Sequence, residues 1–150
     1  MDKTERALFQ ELKLIAANLV NDEEHLYETA RKTKDLKLRE ELFKIAHGTR
    51  LLRTSVMRRM LFGESDVELS DVKKRTHLGE IWCSVKHKLS VSIHYIESIE
   101  KLVAEGKFDE ANELLEEWES HEMLLDALMG VIRGEIHGDG GGDSEDAQRG

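Results

Sequence analysis

Five polar residues stand where four stretches of the chain are otherwise apolar: Glu23, Thr49, Ser92, His121 and Glu122. Each lies near the middle of a predicted helix. A carboxylate and an imidazole that meet inside a helical bundle can hold a metal ion or move a proton. Glu23, His121 and Glu122 are therefore the candidate ligands for one Fe, Zn or Mn ion. The competing reading is a satisfied polar network, with Glu23 paired to Arg53 or to His121 and the hydroxyls bonded within the layer. Buried polar groups need partners, and such layers fix helix register. Two carboxylates and one histidine are few ligands, so the structural reading is preferred. It implies no cofactor and no catalytic residue.

The elements that must position these residues are legible from apolar spacing. In a third helix, His77 to Glu105, the residues Leu78, Trp82, Val85, Leu89, Ser92, Ile96, Ile99 and Val103 follow at alternating intervals of four and three. That spacing is the seam of a helix packed inside a bundle. A first helix, Thr4 to Lys32, carries Leu8, Leu12, Ile15, Leu19, Leu26 and Ala30, with Asp2 and Glu5 as a capping box. A second, Leu36 to Phe62, carries Leu38, Leu42, Ile45, Thr49, Leu52, Val56 and Met60, with Asp35 as cap and Gly63 as stop. A fourth, Asp109 to Ile136, follows Gly106 and carries Ala111, Leu114, Trp118, Leu125, Leu128 and Ile132. The fold class is all-α, an antiparallel four-helix bundle over residues 1–137. The connection from Glu64 to Arg75 either turns locally or crosses the bundle, so up-down-up-down and crossover topologies both fit.

Composition agrees. The chain has 150 residues, no proline and 35% charged residues, a balance that favours helix. Its formal charge of −9 argues against general affinity for nucleic acid or an anionic membrane. A single cysteine, Cys83, allows no internal disulfide and suits a reducing, cytoplasmic setting. No apolar run is long enough to span a bilayer, and an N-terminus charged from its second residue shows no secretory signal. From Gly138 onward the chain is glycine-rich and acidic, which predicts a disordered tail over 138–150.

The run NDEEHLYETARKTKDLKLREELFKIA resembles the first hairpin of ferritin-like and rubrerythrin-like four-helix bundles. The resemblance extends in detail over about the first 60 residues, and over the rest only as architecture. It implies a four-helix fold. The family's two-metal site uses a Glu from each of two helices and a Glu-x-x-His from each of the others. Placed on this chain, those ligands fall at Glu23, at Thr49 and Leu52, near Ser92, and at Trp118 and His121. Only Glu23 and His121 match, so the resemblance does not extend to a two-metal centre.

Three surface features complete the reading. Met123, Leu124, Leu128 and Val131 widen the apolar face of the fourth helix, as Phe9, Val20 and Tyr27 widen that of the first. Surplus apolar surface at helical spacing marks a partner interface, most simply that of a symmetric homodimer. Arg50, Arg58 and Arg59 fan around the second helix and are expected to join that interface by pairing with the acidic fourth helix, within or between subunits. Without interleaved aromatics they make a poor platform for RNA or a ribonucleoprotein, the weakest reading. Cys83, His87 and His94 share an outer face of the third helix and read as polar surface. The sequence thus points to a non-enzymatic, homodimeric scaffold or partner-binding bundle. A diverged ferritin-like metal-binding bundle is the alternative.

Overall fold

The computed structural model of the chain describes residues 2–63 and 76–137. The connection Glu64–Arg75 and the acidic tail lie outside the described residues. Four helices are formed: α1 (Lys3–Lys32), α2 (Leu36–Phe62), α3 (Thr76–Ala104) and α4 (Phe108–His137).

Their ends are set by local chemistry. Asp2 accepts the Glu5 amide at 2.8 Å, and Asp35 accepts those of Lys37 and Leu38. Each side chain satisfies amides that lack an intrahelical partner. Gly63 and Gly106, both at φ 75°, close α2 and α3 in the left-handed region, where a side chain would be strained. Beyond Gly106 the Lys107 amide reaches back to the Leu102 carbonyl at 2.9 Å, a Schellman closure. Replacing Asp35 by alanine is expected to cost about 1 kcal/mol, read from urea denaturation.

The helices pack as two hairpins, α1 with α2 and α3 with α4, docked mainly through α1 against α3. Side-chain contacts give the directions. Glu23 meets Arg53, and Ser92 meets Glu122, so each hairpin is antiparallel. Phe62 stacks on Trp82 with ring centroids 6.1 Å apart, and the Arg133 guanidinium lies 5.0 Å over the Phe9 ring. The end of α2 and the start of α3 therefore share one end of the bundle. The helices run up-down-up-down; a ferritin-like crossover would need α2 and α3 parallel.

The core occupies one half of the bundle's length. Leu12, Val20, Met57, Leu61, Leu78, Trp82, Val85, Leu89, Leu125, Met129 and Ile132 are buried there. Toward the two hairpin turns the buried apolar residues are only Ala30, Ala46 and Ala111. Small inward residues leave little to pack, and large apolar side chains around them stay exposed.

Several seam expectations are corrected here. On α1, Leu8 and Ile15 are 56% and 46% exposed, whereas Ala16, Ala17 and Val20 are buried. On α2, Leu38, Ile45 and Leu52 are exposed, and Ala46, Arg53 and Met57 take the inward positions. Both helices turn their expected stripe outward; on α1 the small residues Ala16 and Ala17 permit close approach, and on α2 the inward face is carried by Arg53, Met57 and Leu61. Val20, expected to widen an interface, is core. The α3 seam holds from Leu78 to Ser92 and opens at Val103, which is exposed.

Candidate functional site

The polar residues form two networks, not one layer. In the first hairpin the Arg53 guanidinium grips the Glu23 carboxylate through Nε at 2.9 Å and Nη2 at 3.4 Å. Arg53 is 4% exposed. Such a paired fork is among the stronger charged contacts, because two hydrogen bonds share one planar geometry. Arg53 also places Nη1 3.8 Å from the Met57 sulfur. Thr49 turns back to its own helix, donating to the Ile45 carbonyl at 3.0 Å.

The second network joins α1 to the second hairpin. Lys13, at 7% exposure, places Nζ 2.6 Å from Glu122 Oε2 and 2.8 Å from Asp126 Oδ1. The Ser92 hydroxyl donates to Glu122 Oε1, and the Trp118 indole donates to the same oxygen at 3.0 Å. Every polar atom aimed at this carboxylate is a donor. Burial opposes the charge on Glu122, but hydrogen bonds from Lys13 and Ser92 and the Lys13 charge outweigh it, so the carboxyl sits below its ordinary range. Burial likewise opposes the Lys13 charge, and the bonds to Asp126 and Glu122 hold its pKa above the usual lysine value.

The sign of the pH dependence follows. A lowered carboxylate pKa gives stability that is full above the unfolded value and lost as pH falls through the folded one. A raised lysine pKa gives stability that is full below the unfolded value and lost as pH rises through the folded one. Stability is therefore expected to hold a plateau between about pH 5 and pH 10. In Glu122→Gln the acid limb should flatten, measured by urea denaturation at a series of pH values. An unchanged acid limb in that variant would rule out this pair as its source.

The proposed metal ligands do not converge. Glu23 is held by Arg53, and Glu122 by Lys13, Ser92 and Trp118. His121 lies with Nε2 2.8 Å from the Lys88 carbonyl oxygen, its ring 5.8 Å from that of Tyr95. A cation at Glu122 would have to displace the Lys13 ammonium. Among the described residues, no group of three or more His, Cys, Asp or Glu side chains is placed to hold a metal ion.

Cys83, His87 and His94 divide. Cys83 and His87 line an open groove of about 860 Å³ along α3, with His121 at its rim. His94 does not line that groove and lies 3.5 Å from Glu24 and 3.9 Å from Glu97. Glu24 also accepts from the buried Ser90 hydroxyl at 2.8 Å. Asn21 donates to Glu97 at 3.5 Å, while its buried side-chain oxygen finds no partner among the described residues.

The expected interface residues are accessible. Met123, Leu124 and Val131 are 73%, 61% and 51% exposed, whereas Leu128 packs partly against the core. Arg50 and Arg59 are exposed, and Arg58 is half-buried, its Nε without a hydrogen-bond partner among the described residues. Among the described side chains, which on α4 end at Gly134, no ion pair joins α2 to α4. Lys13, Asp126 and Trp118 are the network members that sequence reading missed. No helix among the described residues is long and apolar enough to cross a membrane. No protein-family model matches the chain, and neither the curated proteins nor the solved structures contain a significant match to it.

Proposed function

We propose that this chain is a non-enzymatic helical scaffold that works through protein contacts, with self-association as a homodimer its first mode. One observation carries the reading: large apolar side chains are exposed at helical spacing on α1, α2 and α4, while the central charges are spent on one another. A carboxylate held by an ammonium, a hydroxyl and an indole is a poor base and a poor ligand. Exposed apolar side chains at helical spacing support a partner surface, since the largest apolar patch on a protein's surface is often a functional one.

The alternative, a ferritin-like bundle with one Fe, Zn or Mn ion at Glu23, His121 and Glu122, draws little support from residues already engaged elsewhere. The RNA reading through Arg50, Arg58 and Arg59 draws little from arginines that do not form one stripe.

The test is protein purified without a histidine tag and measured by light scattering and elemental mass spectrometry together. A metal-free dimer is expected. A monomer at every concentration overturns self-association. Stoichiometric metal that disappears in His121→Ala overturns the scaffold reading in favour of a metal bundle.

A further inference from the structure

The stripe that most resembles a bundle seam is the one the chain leaves uncovered. On α1 it is Leu8 and Ile15, continued by partly exposed Leu19 and Leu26; on α2 it is Leu38, Ile45 and Leu52.

Both stripes lie on one face. Each residue advances about 100° around a helix. On α1, Glu23 lies about 60° from the stripe and meets α2, and Glu24 lies about 160° from it and meets α3. The stripe is therefore on the side of the α2 contact turned away from α3. On α2, Arg53 lies about 80° from its stripe in the same rotational sense and meets α1, and buried Met57 and Leu61 follow further round. The two helices are antiparallel, so the same sense of rotation is mirrored. Both stripes end up on the outer face of the hairpin, opposite α3 and α4.

We infer that this face is the homodimer interface, closed by the same face of a second copy. This rests on the self-association proposed above and names the surface that carries it. Three observations favour a second copy.

The first is spacing. Leu8 and Ile15 on α1, and Leu38, Ile45 and Leu52 on α2, recur every seven residues, a heptad spacing that suits packing against another pair of helices, and a hairpin laid on a hairpin is how this chain already builds its own core.

The second is area. Five side chains about half exposed, with the partly exposed residues between them, leave on the order of 400 Å² of apolar surface. A standard interface of about 800 Å² per partner is roughly 60% apolar and needs about that much.

The third is charge. α2 carries seven basic residues against two acidic, and α1 six acidic against five basic. A two-fold axis parallel to the helices lays α1 of one copy across α2 of the other, and so sets the more acidic helix against the more basic one. The exposed residues of α4, Met123, Leu124 and Val131, lie on a single helix and make no comparable layer.

The experiment compares the full chain with Ile45→Glu and with Leu124→Glu by light scattering across a dilution series, with circular dichroism to verify helix content. Both positions are exposed, so neither charge is buried in the folded monomer. The expected result is a wild-type dimer, an Ile45→Glu variant that is helical and monomeric, and a Leu124→Glu variant that remains dimeric. If Ile45→Glu loses its helix content, Leu52→Glu replaces it and is held to the same outcome. A dimer that survives Ile45→Glu and is lost in Leu124→Glu overturns the α1–α2 face and leaves self-association standing. A monomeric wild-type chain overturns both.

Discussion

Leu89→Ala is expected to destabilise the protein by about 3–5 kcal/mol, while Phe108→Ala, which removes a larger side chain, changes stability by no more than about 0.5 kcal/mol. Leu89 is fully buried where α3 meets the core, among the best-packed side chains of the chain. Truncating it loses the transfer free energy of three carbons and leaves a cavity that stiff, close-packed neighbours cannot fill. Phe108 opens α4 at 65% exposure, near the hairpin turns where only alanines are buried. Urea denaturation of the two variants beside the wild type gives the comparison. Similar losses in both would show that the bundle is packed along its whole length.

Lys13→Met is expected to cost about 2–3 kcal/mol, less than the 3–5 typical of breaking a fully buried pair. The discount reflects geometry. The lysine side chain is 8% exposed, but Glu122 is 24% exposed and Asp126 51%, so water screens part of the interaction. The loss comes mainly from Glu122, which keeps donors from Ser92 and Trp118 but loses the ammonium beside it. Its pKa should rise, and the acid limb of stability should move to higher pH. Adding Glu122→Gln to Lys13→Met should recover part of the loss, because an amide needs no counter-ion. A double variant no more stable than the single would mean that Lys13 acts through the packing of its stem, not through charge.

What the sequence discloses and what it hides divide along physical lines. Caps are local, so Asp2, Asp35, Gly63 and Gly106 announce the helix ends within a few residues of where they act. The Glu23–Arg53 pair is legible too, because a short turn makes α1 and α2 neighbours, Glu23 fills a gap in its apolar stripe and Arg53 lies on the edge of its own. Rotation is not legible in the same way. α1 has a bulky stripe through Leu8 and Ile15 and a smaller one through Ala16, Ala17 and Val20. Periodicity favours the bulkier, whereas close docking of α1 on α3 selects the smaller.

Lys13 is hidden for a related reason. A lysine reads as surface, and its partners lie more than a hundred residues away. The available signal was its place on the Ala17 and Val20 side of the helix, which becomes informative only once the rotation is known. The same rotation explains why the α1–α2 stripe looks like a core and lies outside one.

Amide hydrogen exchange, followed helix by helix at high protein concentration and after dilution, bears most directly on whether that outer stripe is a covered surface. Protection in Leu12–Asn21, Met57–Phe62, Leu78–Ile93 and Leu125–Ile132 should be strong and independent of concentration, since the core there is complete within one chain. Protection through Leu38–Leu52 should be strong when concentrated and fall on dilution, as the second copy leaves. Protection of Leu38–Leu52 that stays constant across the series, in a chain whose mass remains that of a single copy, would contradict an interface on this face.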